Sequence, residues 1–284
     1  MKPAFVLVVA LIAGSAREAS AQRYQVIDLG VLPGDSWSQA TAINDEGQVV
    51  CNSFLYSFGG SHAFLWENGR VTPLLVPGGE WTNATAINER GHVVGIVNEG
   101  MAAVWAKGRL VQLGTLADGP GFSEANAIND QNQIAGWASG SDCCRHPFSF
   151  FDSNENHLAD PGEMRALPNL GGYWQGIVGR ALGINSSGNI VGYAHAETIP
   201  RPVLWKGNLL IDLHTVPYAR GEAHDINSQG RVVGWAEPYS SAFAWSDLDL
   251  DDVSDPGEMI FLDEDPLRPT VAYFPHLPYL ISSN

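Results

Sequence analysis

The chain has 284 residues, of which 31 are acidic and 15 are lysine or arginine, so its formal net charge is −16 at pH 7. Such a surface repels phosphate backbones and anionic membranes, which excludes nucleic acid and anionic lipid as partners and suits divalent cations. Three cysteines are too few to staple a chain of this length, which excludes a disulfide scaffold. Whether Cys51 bridges to Cys143 or Cys144, or these two bridge to each other, stays open.

Residues 1–21 carry the pattern of a cleavable export signal. Lys2 precedes an uncharged apolar run at residues 4–13, and an A-x-A cleavage site ends at Ala21. The run is shorter than the roughly 20 residues that a membrane-spanning helix needs. We therefore expect a secreted, periplasmic or cell-surface protein whose mature chain begins at Gln22 and contains no membrane span.

A five-residue phrase, A-x-A-I-N in its commonest form, occurs five times along the chain. Its isoleucines are 44, 41, 56 and 42 residues apart. A period of this size indicates one supersecondary unit copied in tandem. The copies begin at Ala40, Ala84, Ala125, Ala181 and Ala223.

Each copy also holds three further segments with the chemistry of β-strands. A G-x-V-V-G-like segment follows the phrase, then a segment that ends in an aromatic residue, such as His62–Trp66, and then a leucine-rich stretch, such as Arg109–Gly114. All are short, rich in β-branched and aromatic residues, and bounded by Gly, Asn or Asp. Sequences such as Asn88–Gly91 predict tight hairpin turns, because Asn caps the turn and Gly accepts a positive φ.

Four short antiparallel strands in a unit of about 42 residues are typical of a propeller blade. We predict an all-β fold, a β-propeller of about five four-stranded blades in residues 22–265, followed by a C-terminal tail at 266–284. A partial sixth blade is left open, and the main alternative is a β-solenoid. The small alanines of the phrase suit the innermost strand. The segment Tyr24–Gly30 resembles the last strand of a blade, and pairing it with the final repeat would close the ring. The final repeat also carries a candidate fourth strand of its own, Met259–Leu262, so both arrangements stay open.

Together these phrases resemble a bacterial extracellular repeat family called HAF, after the His-Ala-Phe sequence found here at His62–Phe64. Leu113–Leu116 is similar to the connecting phrase of that family, and the resemblance covers nearly all of residues 24–262. Some copies depart from the pattern, at Cys51, Met101 and Arg201. The resemblance implies a secreted repeat protein, and it implies no particular reaction, ligand or catalytic residue.

Two acidic loops break the period, at residues 152–163 and 247–258. Both carry side-chain oxygens at positions 1, 3, 5, 9 and 12, which is the ligand spacing of a twelve-residue calcium loop. Position 6, normally Gly, is His157 or Asp252, a departure that weakens binding or changes the loop geometry. We expect structural Ca²⁺ in loops that join the third and fourth strands of their blades; the alternative is two solvated acidic insertions with a common ancestor. The predicted ligands are Asp152, Asn154, Asn156, Asp160 and Glu163 in one loop and Asp247, Asp249, Asp251, Asp255 and Glu258 in the other.

Aromatic residues stand just before the A-x-A-I-N phrase in four repeats. Strand alternation places them on the face opposite the acidic loops, among connections that vary in length as binding loops do. There they would stack on sugar rings or hold a hydrophobic peptide; the alternative is packing between adjacent blades. These residues are Trp37, Trp81, Phe122, Tyr173 and Trp174.

Enzyme signatures are thin, since the chain has no H-E-x-x-H, G-x-S-x-G or phosphate-binding glycine motif. The predicted function is therefore that of a secreted non-catalytic repeat protein, a binding module or surface scaffold stabilised by calcium. Its expected partner is a polysaccharide, a peptide or another cell-surface ligand. The alternative is a carbohydrate-active propeller hydrolase or lyase, which needs carboxylates clustered at the central mouth.

Overall fold

A computed structural model of the protein describes residues 25–262, apart from 56–59, 78–80, 99, 118–120, 143, 215–218 and 238–240. The predicted export signal at 1–21 and the tail at 266–284 lie outside the described residues. No helix in the described part of the chain has the length and apolarity that a membrane crossing requires.

The regular structure consists of five four-stranded antiparallel sheets arranged like propeller blades, and each sheet runs in sequence order from its first to its fourth strand. The prediction of an all-β propeller of about five blades is confirmed, and the described residues contain no sixth sheet.

The first sheet comprises β1 (Trp37–Ile43), β2 (Val49–Phe54), β3 (Ser61–Glu67) and β4 (Arg70–Pro73). The second comprises β5 (Thr82–Ile87), β6 (Val93–Val97), β7 (Met101–Ala106) and β8 (Arg109–Gln112). The third comprises β9 (Ser123–Ile128), β10 (Ile134–Ser139), β11 (Arg145–Phe150) and β12 (Met164–Ala166). The fourth comprises β13 (Gly179–Ile184), β14 (Ile190–Ala196), β15 (Ile199–Lys206) and β16 (Leu209–Asp212). The fifth comprises β17 (Gly221–Ile226), β18 (Val232–Ala236), β19 (Ser241–Trp245) and β20 (Met259–Phe261).

The Asn of each phrase ends the first strand of its sheet and builds the turn to the second. In the first sheet the Asn44 carbonyl accepts a bond of 3.0 Å from the Gly47 amide, which has φ 75°. The side-chain oxygen of Asn44 accepts a second bond, of 2.9 Å, from the Gln48 amide. The predicted hairpin chemistry is therefore present, with the side chain closing the turn that the backbone begins.

The same asparagine also binds the next sheet. The Asn44 side-chain amide donates 3.1 Å to the Asn88 carbonyl, and Asn88 donates 3.0 Å to the Asn129 carbonyl. Asn129 donates 3.0 Å to the Asn185 carbonyl, and Asn185 donates 3.1 Å to the Asn227 carbonyl. The four donors are buried, so each bond is made in a site where an unmade one would be costly. Within the described residues Asn227 donates no such bond, and the ladder ends there.

The variable residue of each phrase sits in a β-bulge. All five pairings between first and second strands shift register at this position. The bulge turns the extra side chain toward the next sheet: the Thr41 hydroxyl donates 3.1 Å to the Ala84 carbonyl, and the Thr85 hydroxyl donates 2.6 Å to the Ala125 carbonyl. The phrase is therefore an intersheet contact as well as a strand.

The bulge also explains the G-x-V-V-G segment. A Cβ atom added to Gly95 would lie 2.0 Å from the Asn83 carbonyl oxygen on the neighbouring strand. A larger residue there would push β5 and β6 apart, and four of the five sheets have glycine at this position.

The core lies between consecutive sheets. Between the first and second sheets, for example, Val50 packs with Val93 and Trp105, and Val76 of the connecting segment closes the cluster. Corresponding clusters join each later pair of neighbours. None of the clusters formed by the described residues joins the fifth sheet to the first.

The described part of the N-terminal segment does not pair with the fifth sheet. The described part of that segment, from residue 25 onward, forms no strand before β1, and Val26 is 95% exposed. β20 already supplies the fourth strand of the fifth sheet. Leu29 and Leu32 instead pack on Phe64 of the first sheet, because they repeat the leucine phrase that elsewhere connects one sheet to the next.

The first sheet consequently lacks a preceding neighbour among the described residues. Ala40 is exposed, whereas its four counterparts in the later phrases are fully buried. Ile43 at the end of β1 is 61% exposed. Within the described residues the five sheets thus form an open series, in which β1 presents the side that β5, β9, β13 and β17 bury.

Cys51 occupies the place of the glycine in the first sheet. It is a buried free thiol, so a bridge from Cys51 to Cys144 is not formed, and Cys143 lies outside the described residues. Burial raises the pKa of the Cys51 thiol to about 11, which keeps it protonated and unreactive at neutral pH.

We expect Asn185→Asp to destabilise the protein, since it keeps the turn acceptor and removes the donor to the fifth sheet. The loss should be about 1–3 kcal/mol, the cost of an unmade buried hydrogen bond. Asn227→Asp is the matched control, because Asn227 accepts the same two turn bonds without donating onward. Urea unfolding measures both; equal losses in the two variants would contradict a stabilising ladder.

Candidate functional site

Both acidic loops lie where they were predicted, between the third and fourth strands of a sheet. Residues 152–163 join β11 to β12, and residues 247–258 join β19 to β20. Because strands alternate in direction, these loops share one end of the sheets with the asparagine turns. The other end carries the connections from second to third strands and from one sheet to the next.

The loop at 152–163 closes on itself through hydrogen bonds among its predicted ligands. The side-chain amides of Asn154 and Asn156 donate 2.8 Å and 2.6 Å to one oxygen of Asp160. These bonds lower the pKa of Asp160. The buried Glu163 accepts from the backbone of Ser153 at 2.9 Å and of Asp160 at 3.0 Å.

The loop at 247–258 brings carboxylates together more closely. Asp247, Asp249 and Glu258 offer oxygens within 4.8 Å of one another, and so do Asp249, Asp251 and Asp255. These are the only such groups of His, Cys, Asp or Glu within the described residues. Partial desolvation, and then the charge of Asp251, raise the pKa of Asp249. Repulsion among these carboxylates opposes ionisation of Asp249, and a bound divalent cation would offset that repulsion.

The two loops have the same internal geometry. In each, the Glu at position 12 accepts from the backbone amides of positions 2 and 9, and the Asp at position 1 accepts from position 6. Position 6 takes a positive φ without glycine, at 58° in His157 and 62° in Asp252. The departure from Gly therefore leaves the left-handed turn of a calcium loop in place, at the expense of backbone strain.

A lysine from the neighbouring sheet reaches the second loop. The Lys206 ammonium lies 3.3 Å from an Asp247 oxygen and also contacts Asp252. Burial of Asp247 opposes ionisation, but bonds from Lys206 and from the backbone outweigh it and lower the pKa of Asp247. Lys206 thus partly neutralises one side of the loop, while Asp249, Asp251 and Asp255 remain without a cationic partner in the described structure.

The five predicted aromatic residues do not form one ring of contacts. Trp37 stacks on Phe54 of its own sheet, with centroids 4.1 Å apart. Trp81 packs against Gly60 and Phe122 against Gly100, both in the preceding sheet. For these three, packing within or between blades is what the structure shows, and among the described residues no two of the five rings touch.

Tyr173 and Trp174 stand side by side in the loop that leads to the fourth sheet, where they are 63% and 49% exposed. Trp37 and Phe122 are also exposed, but each stands alone. They line a shallow groove of about 390 Å³ together with polar side chains of the same end. The polar lining residues are Gln175, Glu197 and Thr198.

A row of charged and aromatic side chains accompanies this groove at the same end of the sheets, and sequence reasoning missed it. The residue before the first Ala of each phrase pairs with the residue after the glycine of the next strand. In the third, fourth and fifth sheets these pairs are Glu124 with Trp137, Arg180 with Tyr193, and Glu222 with Trp235. In the first two they are Gln39 with Asn52 and Asn83 with Ile96.

The signal for this row was present in the repeats. These two positions vary in character while the Ala, Ile, Asn and Gly positions around them stay nearly constant. Variation beside fixed structural positions marks the places that the fold leaves to function. The strand register was needed to see that they lie opposite each other.

His195 lies beneath the groove. It is buried, its carbonyl accepts 2.9 Å from the Gly172 amide, and its ring stands edge-on to Tyr193 at 5.6 Å. Its Nδ1 atom is buried without a hydrogen-bond partner. Burial lowers the pKa of His195, as it also does for His92 and His214.

Comparison with known proteins identifies no family for this chain. No protein-family model matches the chain, and no curated protein matches its sequence. The chain is similar to one from a structural and mechanistic study of two prolyl endopeptidases, with a TM-score of 0.48 and 10% identity. The match covers 75% of this chain and 34% of that one, so the chain spans about a third of the peptidase. A likeness at this level carries no argument about the present chain, and membership of the HAF family stays a prediction.

We expect folding stability to fall as the pH drops below the ordinary histidine value of 6.5. A histidine whose folded pKa is lowered contributes stability that is present above its unfolded pKa and is lost as the pH falls toward the folded one. His195→Phe keeps the ring and removes this titration, so it should flatten part of the decline. Urea unfolding between pH 7 and pH 5 measures the slope, and unchanged slopes would show that His195 does not contribute.

Proposed function

We propose that this protein is an exported, non-catalytic module that binds polysaccharide with the groove at residues 171–176. The observation that carries the proposal is the pair Tyr173 and Trp174, exposed side by side along a concave surface. Aromatic faces suit the apolar faces of sugar rings, and the polar lining residues suit their hydroxyl groups. Export rests on the sequence of residues 1–21.

The other aromatic residues of this end support the proposal by contrast. Trp37 and Phe122 are also exposed, at 42% and 52%, but each of them packs on another part of the fold, as does Trp81. Tyr173 and Trp174 are the exposed pair that stands side by side in one groove. The loop that carries them is anchored, since the Trp174 and Ile177 backbones exchange hydrogen bonds of 2.9 Å and 3.0 Å. A held loop loses little conformational entropy when it binds.

A second candidate function, a carbohydrate-active hydrolase or lyase, has one observation in its favour. Glu124 and Glu222 occupy equivalent positions on the innermost strands of the third and fifth sheets, on either side of Arg180. Paired carboxylates are what glycoside cleavage requires. This function predicts that the protein releases new reducing ends from a polymer that it binds, and that Glu124→Gln or Glu222→Gln abolishes the release. That result would favour the enzyme over the binding module.

We expect the double variant Tyr173→Ala, Trp174→Ala to bind its polysaccharide at least tenfold more weakly, because each lost ring contact removes about 1–3 kcal/mol. A glycan and polymer array on the mature protein identifies the ligand, and titration calorimetry measures the affinity. Trp37→Ala is the control, since this ring is exposed but already stacked on Phe54. Binding of peptides alone, or equal binding by the double variant, would contradict the proposal.

We further propose that the loop at 247–258 holds a structural Ca²⁺. Its five side-chain oxygens and the carbonyl at position 7 make the oxygen-rich set that a hard cation prefers. The loop at 152–163 has the same internal hydrogen bonds but only three carboxylates at its five ligand positions, the other two being asparagine. It is the weaker candidate, because affinity in such loops follows ligand charge.

Added Ca²⁺ should raise the melting temperature above that in EDTA, and Mg²⁺ should raise it less. A hundredfold excess over the dissociation constant stabilises by about 2.7 kcal/mol, which is about 5–10 °C for a domain of this size. Asp249→Asn removes the carboxylate shared by both groups and should abolish most of the shift, whereas Asp160→Asn should remove little. An unchanged melting temperature in the unaltered protein would contradict the calcium site.

A further inference from the structure

We propose that Arg145 and Arg180 form an anion subsite that binds the single carboxylate of an acidic sugar. The subsite adjoins the groove of Tyr173 and Trp174, and the inference rests on the proposed glycan-binding function. It names the chemical class of ligand that this face would select.

The two arginines converge on one indole ring. The guanidinium carbon of Arg145 lies 4.6 Å from the centroid of the Trp137 ring, and that of Arg180 lies 5.4 Å from it. Trp137 is buried, and its Nε1 donates 2.8 Å to the Glu124 carboxylate, which holds the ring in place. Both cations are therefore held against one rigid aromatic support.

Neither guanidinium has an anionic partner in the described part of the chain. The ion pairs found there are formed by other residues. Among the described residues no side-chain hydrogen bond is made by Arg145 or Arg180, and the Nε of Arg180 is buried without an acceptor there. An unmade bond from a buried charged group costs free energy that an anion would recover. In a chain with 31 acidic and 15 basic residues, two arginines on one ring with no ion pair to a described residue need an explanation.

The backbone fixes both arginines next to the aromatic groove. The Arg145 amide donates 2.8 Å to the Gly176 carbonyl, and the Arg145 carbonyl accepts 2.9 Å from Val178. Arg145 thus lies against the same loop that presents Tyr173 and Trp174. Arg180 is the second residue of β13, opposite Tyr193.

The surroundings limit the ligand to one negative charge. A guanidinium matches the planar carboxylate in bidentate geometry, and two of them satisfy one such group. A polyanion is disfavoured by the net charge of −16. It is also disfavoured by Glu124 and Glu222, which lie close enough to Tyr193, as the two arginines do, for their charges to act on its hydroxyl group. A glycan that ends in one hexuronic acid fits both the arginines and the aromatic rings.

The test uses the mature protein and a panel of oligosaccharides, each made in two forms that differ only in one terminal carboxylate. We expect the acidic form of the preferred glycan to bind at least tenfold more tightly than its neutral form. The double variant Arg145→Gln, Arg180→Gln should abolish this preference and leave the neutral form bound as before. Arg109→Gln, an exposed arginine on β8, is the matched control.

Folding of the double variant is checked by its melting temperature. If it fails to fold, Arg145→Lys keeps the charge and removes the bidentate geometry, and it should reduce the preference severalfold. A third form of the glycan, with sulfate in place of the carboxylate, distinguishes the anion; tighter binding of sulfate would overturn the assignment to carboxylate.

The two proposals fail separately. Equal affinity for acidic and neutral forms, or a preference that survives the double variant, would overturn the subsite and leave the aromatic groove intact. Binding of the panel that is insensitive to Tyr173→Ala, Trp174→Ala would overturn the groove. A panel in which neither form binds overturns both.

Discussion

The hydrogen bond from the asparagine of one sheet to the asparagine of the next is the interaction on which the rest of the structure depends. The side-chain amide of Asn44 makes both kinds of contact. Its oxygen accepts a bond within the turn of its own sheet, and its nitrogen donates to the carbonyl of Asn88 in the following sheet. Local geometry and intersheet geometry are thereby set by the same atoms. A repeat protein is stabilised by such nearest-neighbour contacts rather than by a single global core.

The bond also has a direction, and this has structural consequences. Each asparagine from Asn44 to Asn185 donates forward along the chain, so in the part of the chain that the structure describes the first sheet receives no such bond and Asn227 donates none. The exposed Ala40 is the visible sign of this at the first sheet. The segment with Leu29 and Leu32 packs on part of the first sheet. It resembles the segments that connect one sheet to the next, but no described strand stands before it.

The division of labour between the two ends of the sheets follows from the same constraint. One end carries the asparagine turns and both acidic loops, and its geometry is held by short-range bonds. The other end carries the connections between sheets, whose lengths are free to vary because the phrase fixes the strands independently of them. There Tyr173, Trp174 and the charged row of the third to fifth sheets combine into the candidate ligand face.

Much of the fold could be predicted from the sequence, since the repeats align every strand and turn with four other copies. The acidic loops were placed by the same arithmetic, and the oxygens of the loop at 247–258 do converge. Three features were out of reach because they depend on pairing between distant positions. Only the structure shows that Arg145 and Arg180 lie near Trp137 and that Trp81 and Phe122 pack on glycines. Only the structure shows, too, that no described strand packs on the outer side of β1.

Amide hydrogen exchange across the innermost strands tests the open series most directly. Protection reports the free energy of local opening, and β1 lacks the neighbour that covers β5, β9 and β13. The amides of β1 should therefore exchange at least tenfold faster than those of the three later strands. Equal protection in all four would mean that another part of the protein covers β1, and the series would not be open.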